Sequence, residues 1–436
     1  MIVVDRRMRT SGARLRASAI VLALLSWFAV PVGAAHLGAA PPDTTRVVVL
    51  GVDHSTQIVS EAQQPAALRA FFDRVAPDGI AVERPPEEFS RGDHYEFTYE
   101  IQYIAVPYAR ERRIPLHPID WIPPKEDMLL GWGVDLEALP FVRRGWQGFV
   151  SFPDGAVLEQ PLFFADTEED RAKRREQFGT PWEPASRDLA RRMFWYRTYM
   201  QARRVALAAA EHRGGTLLVV VGANHKDDIE RILSSDPRIE IVQPSSYGVP
   251  TAEEVAAATR TKDLYAIATF NVLGVQARTG FVAWEWVDRV LDALARAEPG
   301  ETPELRLLRT RAAVLRGGLE PAAALREYAA IRDAAPEAAR FTWDGVKDRS
   351  RVDSYFDPFG NLTVRQRAAL EMAREHYRLG DVAAGDAIRD ELAAALGPTA
   401  RLQLLAYWPE YVRDAARSAR GTAVAPGSSG AAGEPD

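Results

Sequence analysis

No cysteine occurs in the 436 residues. Disulfides, thiolate metal sites, cysteine nucleophiles and lipid attachment through a cysteine are therefore excluded. Positive charge is short as well: the formal net charge is −6. The first 34 residues hold Arg6, Arg7, Arg9, Arg14 and Arg16 against Asp5, which leaves the remainder at −10. So acidic a chain lacks the basic surface that a phosphate backbone needs, and no nucleic-acid partner is expected. Beyond Val32 there is no apolar run of the roughly 20 residues that span a bilayer. Nor is there a Gly-x-Ser-x-Gly elbow, a phosphate loop of the Walker type or a His-Glu-x-x-His helix.

What is present begins with an Arg-rich start, an apolar run from Ala17 to Val32 and small residues up to Ala34. This reads as a secretory signal over residues 1–34, cleaved before Ala35, and places the protein outside the cytoplasm, periplasmic or extracellular. An uncleaved N-terminal membrane anchor is the alternative. Residues 35–45 read as a Pro/Ala-rich linker, and 421–436, all small residues and Pro apart from the terminal Glu and Asp, as a disordered tail.

With 47% hydrophobic residues the chain can bury a large core. Val47 to Leu50, Ile80 to Val82 and Leu217 to Val221 are short β-branched or apolar runs, the signature of strands buried on both faces of a parallel sheet. Ile239 to Val242 reads as a last strand, and Ile114 to Ile119, interrupted by prolines, as an edge strand or an irregular segment. Leu68, Phe71, Phe72 and Val75 recur at helical spacing between the first two strands. A second amphipathic stretch runs from about Tyr99 to Arg113, broken or kinked at Pro107. From Trp121 to Pro184 periodicity is lost among Trp121, Trp132, Trp146 and Trp182, as in a functional loop, a lid or a peripheral insertion. A long helix begins at Ser186 and stops at Gly214-Gly215; Arg197, Met200 and Arg204 share one of its faces. From 251 onward the pattern is helical near 252–270, 280–297, 303–316, 320–334, 363–379 and 381–396. Ala312, Ala324, Tyr328 and Pro336 fall at tetratricopeptide-like spacing, and Tyr377 to Asp381 resembles the turn of a second copy. The expected architecture is an α/β domain over 46–247, with a parallel-rich sheet and flanking helices, then an all-α region over 248–420.

Two strands end in the same pattern, Gly51-Val52-Asp53-His54 and Gly222-Ala223-Asn224-His225. Glycine lets the chain turn off the strand, and the histidine lands beyond its carboxyl end, where α/β sheets bind ligands. Glu83 and Asp120 close two further strands. Two imidazoles and a carboxylate make a site for a first-row divalent metal such as manganese, cobalt, iron or zinc, with open positions. Such an ion lowers the pKa of water and polarises a carbonyl. The expected ligands are His54, His225 and Glu83. Glu83 is equally a candidate general base, and Asp120 is placed to orient a histidine from behind. Arg197 is placed to hold Glu83 or Asp120, or to stabilise an oxyanion. His36, His94, His117, His212 and His376 lack this framing and read as structural or exposed.

At these residues the chain resembles the TraB/TIKI superfamily, which includes the GumN-like proteins. The match lies in Gly51–His54 with Glu83, and in Gly222–His225 preceded by Arg197-Thr198-Tyr199-Met200, over roughly residues 46–245. The first motif carries Val-Asp, and Thr-Tyr follows Arg197, where the family has other residues more often. The resemblance implies a fold related to erythromycin-esterase-like and ChaN-like proteins, and metal-dependent peptidase activity. The expected function is an exported metal-dependent hydrolase of amide, peptide or ester bonds, acting on a small molecule or peptide. The alternatives are a metal-free esterase with a histidine base, a haem-, metal- or ligand-binding protein, and a scaffold docking a protein partner through its C-terminal helices.

Overall fold

The computed structural model describes residues 43–133, 142–143, 148–181, 183–184, 188–298 and 300–418. The expected signal, most of the linker, the helix start at Ser186, Trp146, Trp182 and the tail lie outside the described residues. Five strands, β1 (Thr45–Val52), β2 (Gly79–Val82), β3 (Leu116–Pro118), β4 (Thr216–Gly222) and β5 (Ile239–Ile241), form one sheet in the order β3-β2-β4-β1-β5. Every pairing is parallel. The Pro-bearing strand β3 sits at one edge, where a missing N–H costs no ladder bond.

The alternation of side chains sends each apolar run to both faces. Val48, Leu50, Ile80, Val82, Leu218 and Val220 pack with Leu68, Phe71 and Phe72 of helix α1 (Pro65–Val75). Val47, Val49, Ala81, Leu217, Val219 and Val221 pack on the other face. There they meet Ala202 and Val205 of helix α2 (Leu189–Glu211), and Ile229 and Leu233 of helix α3 (Ala223–Leu233). The chain thus leaves β1 toward one face and neighbouring β4 toward the other. That divergence opens a crevice between their carboxyl ends, the topological switch point.

The stretch before β3 is helical from Glu100 to Arg112. Its first part, Glu100–Ala105, is widened to π geometry just ahead of Pro107. The region expected to be irregular contains two helices, Lys125–Trp132 and Glu168–Gly179. The second is EEDRAKRREQFG, with no buried residue and no apolar stripe, so hydrophobic periodicity could not reveal it.

The C-terminal half is helical, as expected. The stretch near 252–270 breaks into Ala252–Ala258 and Thr261–Val272. Trp284–Ala297 follows, then two helical hairpins, Pro303–Leu315 with Pro321–Ala334 and Val364–Leu379 with Val382–Ala394. The first face of the sheet and these helices share one core, in which Phe270, Val287, Leu308 and Tyr328 are wholly buried. No helix among the described residues is long and apolar enough to cross a membrane.

Candidate functional site

Register brings the two motifs together. Gly51 stands opposite Val221 and Val52 opposite Gly222, so both histidines leave adjacent strands at the same level. Val82 stands opposite Val220, which sets Glu83 beside them on the far side of β4. The glycines serve a different purpose from the one their position suggests. Neither adopts a left-handed turn. A Cβ on Gly222 would lie 3.0 Å from His54 Nε2 and 3.3 Å from Glu83 Oε2, and one on Gly51 would lie 2.9 Å from Ala165. They are there for close approach. His225 is not in a turn either, because α3 begins directly at Ala223.

Glu83, 2% exposed, is the hub. Its Oε2 accepts from the Gly222 amide at 2.6 Å, at the positive end of α3, and its Oε1 accepts from Arg197 Nη2 at 2.7 Å. His54 Nε2 lies 3.7 Å from Oε2, and His225 Nε2 lies 3.6 Å from Oε1. Both imidazoles therefore turn the same nitrogen to one carboxylate.

The opposite nitrogens are anchored. His54 Nδ1 lies 2.7 Å from Glu100 Oε1, and Glu100 Oε2 takes the Ser55 amide at 3.2 Å. A carboxylate only accepts, so Nδ1 carries the proton. His225 Nδ1 lies 2.6 Å from the Thr198 hydroxyl, which donates its one proton to the Phe194 carbonyl at 2.9 Å. The hydroxyl must therefore accept from Nδ1–H, which leaves the lone pair on Nε2. Phe194 stacks on the His225 ring at 4.6 Å.

Asp120, 0% exposed, contacts neither imidazole among the described hydrogen bonds, and Glu100 takes the place behind a histidine that was expected of it. Its Oδ1 accepts from Arg197 Nε and Gln201 Nε2, both at 2.8 Å. Its Oδ2 accepts from Arg197 Nη2 at 2.6 Å and the Tyr95 hydroxyl at 2.8 Å. Arg204 donates to its backbone carbonyl. Arg197 thus holds Asp120 and Glu83 at once, and its Nη1 faces His225 Nε2 at 3.4 Å. All five expected residues, His54, Glu83, Asp120, Arg197 and His225, meet here. Glu100, Thr198, Gln201 and Tyr95 join them. Of the remaining histidines, His117 and His212 pair with each other, Nε2 to Nε2 at 2.8 Å, away from this site.

Burial and charge push the two histidines apart. Burial alone would lower His54, but the charge and hydrogen bond of Glu100, with Glu83 behind them, raise its pKa to about 9. Burial lowers His225 to about 4; Glu83 opposes that shift, while Arg197 reinforces it. Burial also works against ionisation of Asp120, yet Arg197 and its hydrogen bonds hold the carboxyl below its usual range.

Among the described residues no group of three or more His, Asp or Glu side chains is arranged to hold a metal ion. Their chemistry nonetheless fits a divalent ion. Two Nε2 atoms and a carboxylate converge, with a carboxylate and a hydroxyl fixing the rings from behind. With His54 protonated, Glu83, Glu100 and Asp120 outweigh the cations Arg197 and His54 by one charge, and a divalent cation that displaced the His54 proton would balance the group. Compared with known protein families, curated proteins and solved structures, the chain has no match.

Proposed function

We propose that the protein is a hydrolase of amide, peptide or ester bonds, with a divalent metal, Mn, Co, Fe or Zn, bound by His54, His225 and Glu83. One observation carries this reading: two imidazoles from separate strands present Nε2 to the same buried carboxylate, each with Nδ1 tied down. A bound ion supplies a water acidic enough to attack at neutral pH. Glu83 would either complete the ligand set or, left out of it, act as the general base. Arg197 Nη1, the guanidinium nitrogen not bonded to a carboxylate, stabilises charge building on the substrate oxygen. Asp120 fixes the guanidinium plane. The TraB/TIKI resemblance, export and a small-molecule or peptide substrate belong to the same reading.

The opposed pKa values support a second reading, a metal-free hydrolase in which neutral His225 accepts a proton and protonated His54 donates one. A protein partner on the C-terminal helices is supported by exposed Leu379, Val382, Leu402 and Leu405. The deciding experiment is elemental analysis of purified protein beside the His54→Ala/His225→Ala double variant, with a peptide and ester screen before and after chelation. Near-stoichiometric metal in the parent, none in the variant, and turnover abolished by chelation support the metal reading. Turnover that survives chelation moves the assignment to the acid–base pair. Absence of both metal and turnover removes the hydrolase.

A further inference from the structure

The turn after β1 and the first helical turn of α3 each carry, beside the histidine, a polar residue bonded elsewhere: Asp53 and Asn224. Both are held by one side chain. Arg174 Nη2 donates to Asp53 Oδ1 at 3.3 Å, and Nη1 donates to Asn224 Oδ1. Asp170, one helical turn earlier, takes Nε at 2.5 Å and Nη2 at 3.0 Å and fixes the plane of the guanidinium. Gln160 secures the other oxygen of Asp53 at 3.0 Å.

Arg174 rides on the helix Glu168–Gly179, which buries none of its residues. Charge holds that helix down. Arg171 reaches Asp227 at 2.9 Å, Glu230 at 3.0 Å and Gln243 at 2.7 Å, and Arg175 reaches Asp227 at 3.3 Å. At its far end Phe178 stacks at 3.9 Å on Phe194, the ring that lies against His225. The Phe178 carbonyl also accepts from Arg191 and Trp195, and an element fixed by partly exposed ion pairs, an aromatic stack and such end contacts opens more readily than one seated in the core.

We propose that Arg174 is a positioning residue, delivered by a closing helix, that locks the Asp53–His54 and Asn224–His225 turns in mutual register. The inference rests on the hydrolase reading for its purpose but not for its geometry. Two Nε2 atoms from different strands must face one carboxylate, and an error of about 1 Å in such a constellation costs on the order of 100-fold in rate. A guanidinium bonded to both turns at once removes that freedom, and a lysine, a point charge on a flexible stem, cannot span both.

The test uses the intact protein with Arg174→Ala, Arg174→Lys and, as control, Arg171→Ala. Amide hydrogen exchange and histidine ring nitrogen NMR are measured, with turnover alongside. Arg174→Ala should speed exchange in residues 52–56 and 223–226 by about tenfold and shift the His54 and His225 ring signals, at a melting temperature close to the parent's. Arg174→Lys should restore little of this, and Arg171→Ala, which frees the helix but keeps the guanidinium, should loosen residues 168–179 most and the two turns clearly less than Arg174→Ala does. If Arg174→Ala unfolds the protein, Arg174→Gln replaces it. Unchanged exchange at both turns overturns the proposal, as does equal loosening by Arg171→Ala. If the turns loosen but the parent hydrolyses nothing, Arg174 keeps its role and the hydrolase reading falls.

Discussion

Replacing Arg197 with methionine keeps most of the side-chain volume and removes the cation. Asp120 and Glu83 are 0% and 2% exposed, so neither carboxylate can turn to water instead. Asp120 loses the donors at 2.8 and 2.6 Å and keeps Gln201 and Tyr95. Glu83 loses the donor on Oε1 and keeps the Gly222 amide on Oε2. Breaking a buried ion pair from one side costs ~3–5 kcal/mol, because a charge is left without a partner. Proton uptake by Asp120 sets a ceiling. It costs about 1.4 kcal/mol for each pH unit between the ordinary carboxyl value and the buffer, or roughly 5 kcal/mol at pH 7.5. We expect Arg197→Met to lose ~4 kcal/mol at pH 7.5, and the loss to shrink toward pH 5 as the carboxyl takes up its proton. Urea unfolding followed by tryptophan fluorescence, on parent and variant at several pH values, measures both quantities. A loss below about 1 kcal/mol, or one that does not change with pH, refutes the picture of a guanidinium neutralising two buried carboxylates.

Three further outcomes are expected. The His54 contribution to stability is complete below the unfolded value near 6.5 and lost as pH rises through about 9; that of His225 is complete above 6.5 and lost as pH falls through about 4. Urea titrations should place maximal stability near 6.5, and His54→Asn should flatten the alkaline limb and His225→Asn the acid limb; unchanged limbs would show that neither group titrates as described. Thr198→Val removes the acceptor of His225 Nδ1–H, and ring nitrogen NMR should show mixed tautomers with activity or metal affinity down 10- to 100-fold, the usual cost of losing such a support. Gly222→Ala puts a methyl 3.0 Å from His54 Nε2. It should keep the circular dichroism spectrum and displace the imidazole, and a variant with parent metal content and turnover would contradict the close-approach argument.

The strands and the five site residues were legible because parallel strands advertise themselves as unbroken β-branched runs, and because chemistry gathers where such runs end. What escaped followed from the same rule. Glu100 lies in an amphipathic stretch, one turn before buried Ile104 and two before buried Tyr108. A carboxylate on an apolar face is its signal in the sequence, one that hydrophobic periodicity alone does not weigh. Asp120 was legible as a site residue and Arg197 as one of its possible partners, but strand order decides between the arginine and an imidazole. Gln201 follows the arginine by one helical turn and Thr198 follows it directly, and their partners, Asp120 and His225, become visible only once the helix is docked on the sheet. The helix carrying Arg174 has no apolar periodicity to find, because ion pairs hold it.

The ladder between β1 and β4 joins Arg46 to Thr216, across about 170 residues of chain. Closing a loop of that size is slow, and its entropy must be met before the contacts repay it. A chain emerging from synthesis therefore carries His54, Glu83 and Asp120 long before the strand that brings His225 and the Gly222 amide. Until β4 inserts between β1 and β2, the sheet has an open seam and the carboxylate hub lacks one histidine and its amide donor. The assembled site is thus withheld from partial chains by topology alone, and a truncation ahead of Thr216 should yield an aggregation-prone product that lacks it.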